Sequence, residues 1–330
     1  MHILITGAAG MIGRKLTARL LADGALHGRV IDRLTLHDVV RFPGDDLAAG
    51  KAVDIVASDL AAPGEAEKLI AARPDAIFHL AGVVSGEAEL DFDKGYRVNL
   101  ESMRALLDAI RRAADATGYH PRLVFASSIA VYGAPFPPAI PDDFHLTPLT
   151  SYGTQKAICE LLLADHHRRG FLDGVGIRLP TICVRPGKPN KAASGFFSGI
   201  IREPLAGQEA VLPVADRVRH THASPRAAVG FLVHAAGLTR EALGPRINLA
   251  MPGVCCTVAE QIEALARVAG QKVAARIRRA PDDLIMRIVG GWAERIEARR
   301  AGALGFKAEA SFDEIIRIHI DDELAGRIAA

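Results

Sequence analysis

Two side chains in the middle of the chain have the types and spacing needed for acid–base chemistry. Tyr152 and Lys156 lie four residues apart in a helical segment, so both side chains face the same side of that helix. A free tyrosine has a pKa near ~10 and is a poor base at neutral pH. A neighbouring ammonium favours the phenolate, and the pair can then transfer protons. The same spacing also occurs in amphipathic surface helices, so the pair alone does not define a site.

A strand-like segment supplies hydroxyl groups that could act on the same reacting atom. Phe125 and Ala126 lead into Ser127 and Ser128 at the carboxyl end of a predicted strand, which is where open parallel sheets bind ligands. A serine there can donate a hydrogen bond to an oxygen on which negative charge develops. Asn99 lies in the long helix before this strand, and the residue type is also compatible with a solvent-facing side chain.

The glycines near the start of the chain predict a dinucleotide site. They follow a strand and open a helix, and glycine permits the tight turn, the approach of backbone N–H groups to a pyrophosphate, and close packing of helix on strand. The positive end of the helix dipole stabilises the bound anion. The predicted cofactor contacts in this turn are Gly7, Gly10, Met11, Ile12 and Gly13.

An acidic residue after the second strand is expected to accept hydrogen bonds from the adenosine ribose. Asp32 and Asp38 compete for this role. Asp32 lies nearer the usual distance from the glycines, but Leu34–His37 is the better strand, and we favour Asp38. An acid there repels a 2′-phosphate, so NAD is predicted in preference to NADP, although Arg33 and Arg41 leave NADP open.

Two further strand ends complete the predicted cofactor pocket. Asp59 closes the third strand with Leu60, where a carboxylate can receive the adenine amino group. The fourth strand ends in small residues that leave room for the cofactor. The contacts predicted there are Leu80, Ala81 and Gly82.

Short aliphatic runs alternate with helical patterns over the first part of the chain, which predicts an α/β fold with a doubly wound parallel sheet of the Rossmann type. The predicted strands are His2–Thr6, Leu34–His37, Lys51–Ala57, Ala76–Leu80, Arg122–Ala126 and Val175–Leu179. The predicted helices are Met11–Asp23, Glu65–Ala72, Tyr96–Ala116 and Tyr152–Arg169. Residues 1–180 form the expected cofactor domain, and 220–250 are expected to return to it.

Beyond Pro180 the sequence predicts a smaller C-terminal substrate lobe, formed by residues 181–219 and 251–330. A loop rich in proline and glycine marks the start of this lobe. The helices predicted beyond Pro180 are Gly195–Ala206, Val258–Ala269 and an amphipathic Asp283–Ala301, and the strands predicted there are Val211–Val214 and Ile247–Ala250.

Composition excludes several classes of function. The 330 residues carry 40 Lys and Arg against 38 Asp and Glu, without long blocks of either sign, so neither nucleic acid nor a membrane surface is an expected partner. The four cysteines form no CxxC pair, which favours a reducing cytosol. No apolar stretch reaches the roughly 18 residues of a membrane span. His220 and His222 alternate as on a strand, but no third ligand lies nearby in sequence, so no metal site is predicted.

The motifs, taken together in this order, closely resemble those of the extended short-chain dehydrogenase/reductase family, which includes nucleotide-sugar epimerases and dehydratases. The resemblance covers residues 1–250 and rests on GxxGxxG at 7–13, Asn99, SSxAVYG at 127–133 and YxxxK at 152–156. It implies that Ser128, Tyr152 and Lys156 are catalytic and that Ser127 is a supporting substrate contact. Asn99 would hold a water in a proton relay.

The same resemblance implies further contacts. Lys156 would hold the nicotinamide ribose, with Tyr152, Asn99 and Pro180 also near the cofactor. The family pattern further implies a homodimer built on the helices around 96–116 and 152–169.

Several segments look like those of D-erythronate dehydrogenases, including the run that contains Ser85 and the one that contains Thr181 and Arg185. This implies NAD-dependent oxidation of a four-carbon sugar acid at C2, with Ser85 and Thr181 near the substrate. The substrate carboxylate needs a cation, for which Arg185 and Arg219 are the candidates, with Lys188 behind them. The alternative is a nucleotide-sugar epimerase or dehydratase that retains its NAD.

Overall fold

The chain alternates strands with helices, as the sequence predicts. A computed structural model describes residues 1–43, 52–187 and 193–329, so Lys51 and Lys188 lie outside the described residues. The strands are β1 (His2–Thr6), β2 (Ala25–Leu26), β3 (Arg29–Val30), β4 (Arg33–Asp38), β5 (Ala52–Ala57), β6 (Ala76–His79), β7 (Arg122–Ser128), β8 (Asp173–Leu179), β9 (Thr181–Ile182), β10 (Ala210–Leu212), β11 (Arg219–Ala223), β12 (Asn248–Ala250), β13 (Val254–Thr257) and β14 (Ile277–Arg279).

The helices include one π-helical segment, Tyr96–Glu101, and one 3₁₀ turn, Ile129–Val131. The α-helices are α1 (Met11–Asp23), α2 (Glu65–Ala71), α3 (Ser85–Leu90), α4 (Phe92–Gly95), α5 (Ser102–Thr117), α6 (Ser151–Arg168), α7 (Gly195–Leu205), α8 (Pro225–Ala236), α9 (Arg240–Leu243), α10 (Val258–Ala269), α11 (Gln271–Ala274), α12 (Asp283–Gly290), α13 (Arg299–Ala303) and α14 (Phe312–Leu324). Within the described ranges, no helix combines the length and apolarity that crossing a membrane requires.

The central sheet has seven strands in the order β12-β8-β7-β6-β1-β4-β5. The pairings β1–β4, β4–β5, β1–β6 and β6–β7 are all parallel. From β1 the chain adds β4 and β5 on one side and then returns to place β6 on the other. The strand order therefore reverses between β1 and β6, and the predicted doubly wound fold is confirmed. Ligands of such sheets bind at the carboxyl ends of the strands beside this reversal.

Two compact units make up the chain. The first contains residues 1–128, 150–178 and 229–249 and includes most of the central sheet. The second contains residues 129–149, 179–228 and 250–330, with a three-stranded sheet β13-β11-β9 and a two-stranded sheet β10-β14. The segment 129–149 thus belongs with the second unit, although its position in the sequence suggested the first.

The second unit has its own hydrophobic core around α7, α10 and α14. Phe197, Leu265 and Ile316 are fully buried in it. The single helix predicted for Asp283–Ala301 is wrong: α12 ends at Gly290, and α13 begins only at Arg299. The adjacent glycines 290 and 291 lower helix propensity at the break.

Candidate active site

The glycine turn lies at the reversal point of the sheet and fits a dinucleotide. Gly7 has φ +74°, and a Cβ on it would lie 2.5 Å from the backbone nitrogen of Ala81, which follows β6. A Cβ on Gly13 would lie 2.3 Å from the Gly7 carbonyl oxygen. Gly10 caps α1 without a side-chain hydrogen bond, so the first N–H groups of that helix face the turn as donors for a pyrophosphate.

The two acids considered for the ribose lie at opposite ends of β4. Asp38 ends the strand, and its Oδ2 accepts a hydrogen bond from the Ala9 N–H in the glycine turn at 3.0 Å. Asp32 precedes the strand and pairs with the amino group of Met1. Only Asp38 is therefore at the carboxyl edge of the sheet, which favours it as the ribose acid.

Asp59 follows β5 at the same edge of the sheet. Its Oδ1 accepts from the Ala61 N–H at 2.9 Å, and its Oδ2 pairs with Arg97. Burial by itself raises the pKa of Asp59, but the hydrogen bonds from Arg97 and Ala61 outweigh that effect and hold the pKa below its ordinary value. The carboxylate is ionised at neutral pH and can accept an amino hydrogen bond. Leu60 beside it is buried.

Helix α6 presents the predicted acid–base pair. Thr150 caps its start and accepts from the Gly153 N–H at 3.1 Å, the usual role of a threonine at that position. The Lys156 ammonium is buried, lies 5.7 Å from the centre of the Tyr152 ring, and donates to the Ala126 carbonyl oxygen at 2.9 Å. The lysine thus bridges α6 to the last residues of β7.

The two serines at the end of β7 differ in orientation, because successive side chains of a strand point to opposite faces. Ser128 is half-buried at the carboxyl end of the strand. Ser127 is buried, and its hydroxyl donates to Oε1 of Glu160 at 2.5 Å. The hydroxyl hydrogen of Ser127 is thus engaged by a carboxylate inside the first unit, and a substrate contact by Ser127 stays a prediction. Sequence reasoning missed Glu160, although it lies one turn after Lys156.

Asn99 lies in the π-helical segment rather than in a regular α-helix. Its side-chain nitrogen donates to Oε1 of Gln155 at 2.7 Å, and its Oδ1 accepts from the Val83 N–H at 2.9 Å. Its backbone carbonyl accepts from the Cys159 thiol at 3.2 Å. Burial raises the pKa of Cys159 to about 12, which keeps the thiol protonated as a donor. The side-chain amide of Asn99 is therefore bonded to both Val83 and Gln155.

The candidate substrate residues are divided between the units. Ser85 begins α3 in the first unit, whereas Thr181, Arg185 and Arg219 lie in the second, as does the predicted cofactor contact Pro180. The Arg185 guanidinium donates to the Ile182 carbonyl at 3.0 Å and to Ser194 at 3.2 Å. Arg219 has a side chain that is 41% exposed and approaches Glu260 only to 3.7 Å.

The two histidines of β11 are buried structural groups of the second unit. Nε2 of His220 lies 2.7 Å from the Thr181 hydroxyl, and Nε2 of His222 lies 2.8 Å from the side-chain nitrogen of Gln261. Burial lowers the pKa of His220 to about 4, so the imidazole is neutral at pH values near 7. His220 therefore holds the Thr181 hydroxyl without carrying a charge.

Comparisons with known proteins show which family this chain resembles. The profile described as "NAD dependent epimerase/dehydratase family" matches residues 3–221. A D-erythronate dehydrogenase of Cupriavidus necator is 51% identical over 98% of both chains. A second one, from Haemophilus influenzae, is 40% identical over 98% of this chain and 100% of its own. A solved structure from Agrobacterium tumefaciens, described as a nucleoside-diphosphate-sugar epimerase, is 65% identical with a TM-score of 0.97, covering 100% of this chain and 96% of that one.

The matched residues include the glycine turn together with Ser128, Tyr152 and Lys156. The cofactor is NAD, for which the turn, Asp38 and the open start of α1 provide the expected contacts. The protein is accordingly an NAD-dependent oxidoreductase, related over nearly its full length to dehydrogenases. It belongs to the NAD-dependent epimerase/dehydratase family of the extended short-chain dehydrogenases/reductases.

Proposed function

We propose that this protein oxidises the C2 hydroxyl of a small sugar acid similar to D-erythronate, giving the 2-oxo acid. The observation that carries the proposal is the alignment of two D-erythronate dehydrogenases, at 51% and 40% identity, with 98% of this chain. An alignment of that extent includes both compact units. It therefore supports a shared substrate class as well as a shared cofactor.

In this proposal Tyr152 takes the proton of the substrate hydroxyl. The ammonium of Lys156 lies 5.7 Å from the centre of the Tyr152 ring, on the same face of α6. Ser128 donates a hydrogen bond to the substrate oxygen as negative charge develops on it. NAD, held by the glycine turn and Asp38, would supply the acceptor for the hydride of the same carbon.

The proton then returns to bulk water past Asn99. The side-chain amide of Asn99 is held by Val83 and Gln155, so its backbone carbonyl is the group left to orient a water molecule. A carbonyl oxygen has two lone pairs, and the Cys159 thiol occupies one of them.

Arg219 is the candidate we favour for binding the substrate carboxylate. A charge-assisted, bidentate contact from an arginine is a strong way to bind a carboxylate. Arg219 is 41% exposed, and its 3.7 Å approach to Glu260 is an exposed ion pair of the kind that contributes little to stability. Arg185 instead donates to Ile182 and Ser194 within its own unit, so its guanidinium is already engaged by protein groups.

The alternative function is a nucleotide-sugar epimerase, which the description of the Agrobacterium tumefaciens structure favours. The deciding experiment incubates the purified protein with NAD and a panel of four- to six-carbon sugar acids, beside UDP- and dTDP-sugars. Stoichiometric NADH with a sugar acid supports the dehydrogenase. Conversion of a nucleotide sugar without net NADH refutes it in favour of the epimerase.

The same measurement of NADH tests the proposed role of Tyr152 as the base. Tyr152→Phe removes the phenolic oxygen, so turnover should be lost while the affinity for NAD changes by no more than about twofold. Tyr119→Phe is the matched control, because the Tyr119 hydroxyl donates to the Pro74 carbonyl at the opposite edge of the sheet. A Tyr152→Phe variant as fast as the parent would exclude the mechanism.

We also propose that the protein is a homodimer formed through α6 and its neighbours. Leu90, Phe92 and Leu161 lie on α3, α4 and α6, which pack together, and these side chains are 77%, 58% and 65% exposed. Such exposed apolar groups are typical of an interface. Leu161→Glu should give a monomer by light scattering, whereas Leu284→Glu, at an exposed leucine of the second unit, should leave a dimer. A monomeric parent refutes the proposal.

A further inference from the structure

The carboxylate of Glu160 is 0% exposed inside the first unit. Its Oε2 accepts from Arg178 Nη2 at 2.7 Å, and the Arg178 Nε lies 3.0 and 3.1 Å from the two carboxylate oxygens. The Ser127 hydroxyl adds a third donor at 2.5 Å. A buried carboxylate is strongly unfavourable without such partners, and here they come from two different strands, β7 and β8.

The pair is not explained by stability alone. Apolar residues of similar volume are often as good as a buried ion pair, or better, in stabilising a fold. A charged group with several directional bonds instead fixes one geometry among the elements that it joins. In this unit those elements are α6, β7 and β8.

The joined elements are the ones that carry the reacting groups. Tyr152, Lys156 and Glu160 follow each other at intervals of four residues on one face of α6. Lys156 is bonded to the Ala126 carbonyl and Glu160 to the Ser127 hydroxyl. The helix is therefore attached to two consecutive residues of β7, and the next residue is Ser128.

We propose that Glu160 is a positioning residue for the reaction, acting through Ser127 to hold Ser128 at a fixed place relative to Tyr152. The inference rests on the proposed roles of Ser128 and Tyr152. Arg178 supplies the opposite charge that pairs with the buried carboxylate. Small errors in the placement of reacting groups cost large factors in rate, so the link should affect kcat more than the binding of NAD.

Ser127→Ala tests the link with the ion pair left intact. We expect the thermal midpoint to fall, because the buried carboxylate loses one of its donors. At a temperature well below that midpoint, the KM for NAD should stay close to that of the parent, while kcat falls about tenfold. Tyr119→Phe, which removes a hydroxyl at the opposite edge of the sheet, should keep the parental kcat. Turnover by the parent is measured first and establishes the reaction, so an unchanged kcat in Ser127→Ala overturns the positioning role alone.

A second variant, Glu160→Leu/Arg178→Met, removes both charges together, so neither is left buried and unpaired. It should fold, because the pair is replaced by apolar groups of similar size, and its kcat should fall as in Ser127→Ala. Adding Ser127→Ala to it should bring no further loss, because all three changes break one link. The proposal would be refuted if the triple variant had a clearly lower kcat than the double variant. It would also be refuted if the double variant kept the kcat of the parent.

Discussion

Acid should destabilise the second unit through His220. This imidazole stacks on Phe197 with 5.4 Å between ring centres and lies 5.5 Å from Trp292. Burial lowers the pKa of His220 to about 4, whereas a histidine in an unfolded chain has a pKa of ~6.5. Between these values the unfolded chain binds more protons than the folded one. Stability is therefore lost as the pH falls through that window.

The size of the loss follows from the two pKa values. At about pH 5 the linkage relation gives about 2 kcal/mol for this one group, relative to neutral pH. Burial also lowers the pKa of His222, which adds in the same direction. Trp292 is the single tryptophan of the sequence, so its fluorescence during urea unfolding reports on the second unit. The assay compares the unfolding free energy at about pH 7.5 and about pH 5.

His220→Gln keeps a group that can bond to Thr181 but removes the titration. Its free energy of unfolding should fall about 2 kcal/mol less than that of the parent over the same pH interval. The exposed imidazole of His145 is in water in both states, so His145→Gln should behave like the parent. Equal pH dependence in His220→Gln and the parent would refute the assignment of the effect to His220.

Two predictions concern the cofactor site. Asp38→Asn removes the charge that the ribose hydroxyls are expected to contact, so the KM for NAD should rise about tenfold while use of NADP improves. Steady-state kinetics with both cofactors measure this change. An unchanged preference for NAD over NADP would count against Asp38 as the ribose acid. Gly7→Ala should lower stability by more than the ~1 kcal/mol typical of a left-handed alanine, because its Cβ also lies 2.5 Å from Ala81. Gly118→Ala is the control for thermal unfolding, because Gly118 also has a positive φ, +68°, but nothing lies within 4 Å of an added Cβ. Equal losses of stability in the two variants would contradict the steric argument.

The fold was predictable because its signals are local. Apolar runs such as His2–Thr6 gave the strands, and the alternation with helices gave the parallel sheet. The glycine turn and the position of Asp38 also follow from short stretches of sequence. The preference for Asp38 over Asp32 as the ribose acid depends only on which short segment forms the strand, and that strand is Arg33–Asp38.

The parts that sequence reasoning missed depend on contacts between distant residues. The helical spacing predicts that Glu160 and Lys156 share one face of α6. It does not predict the ion pair of Glu160 with Arg178, because that pair joins a helix to a strand. Ser127 and Ser128 are the same residue type, so the sequence does not distinguish them. In the structure they lie on opposite faces of β7, and Ser127 is the one bonded to the buried Glu160. The neighbourhood of Thr181 and His220 is likewise a product of strand pairing.

The π-helical turn at Tyr96–Glu101 changes the direction in which the side chains of the surrounding helix point. An α-helix advances about 100° per residue, and a π turn accommodates one residue more than an α turn in the same length. The segment before the turn is therefore rotated relative to α5 behind it. Asn99 faces Val83 and Gln155 as a result. A deletion of one residue within 96–101 would restore regular winding and turn that amide away from both partners.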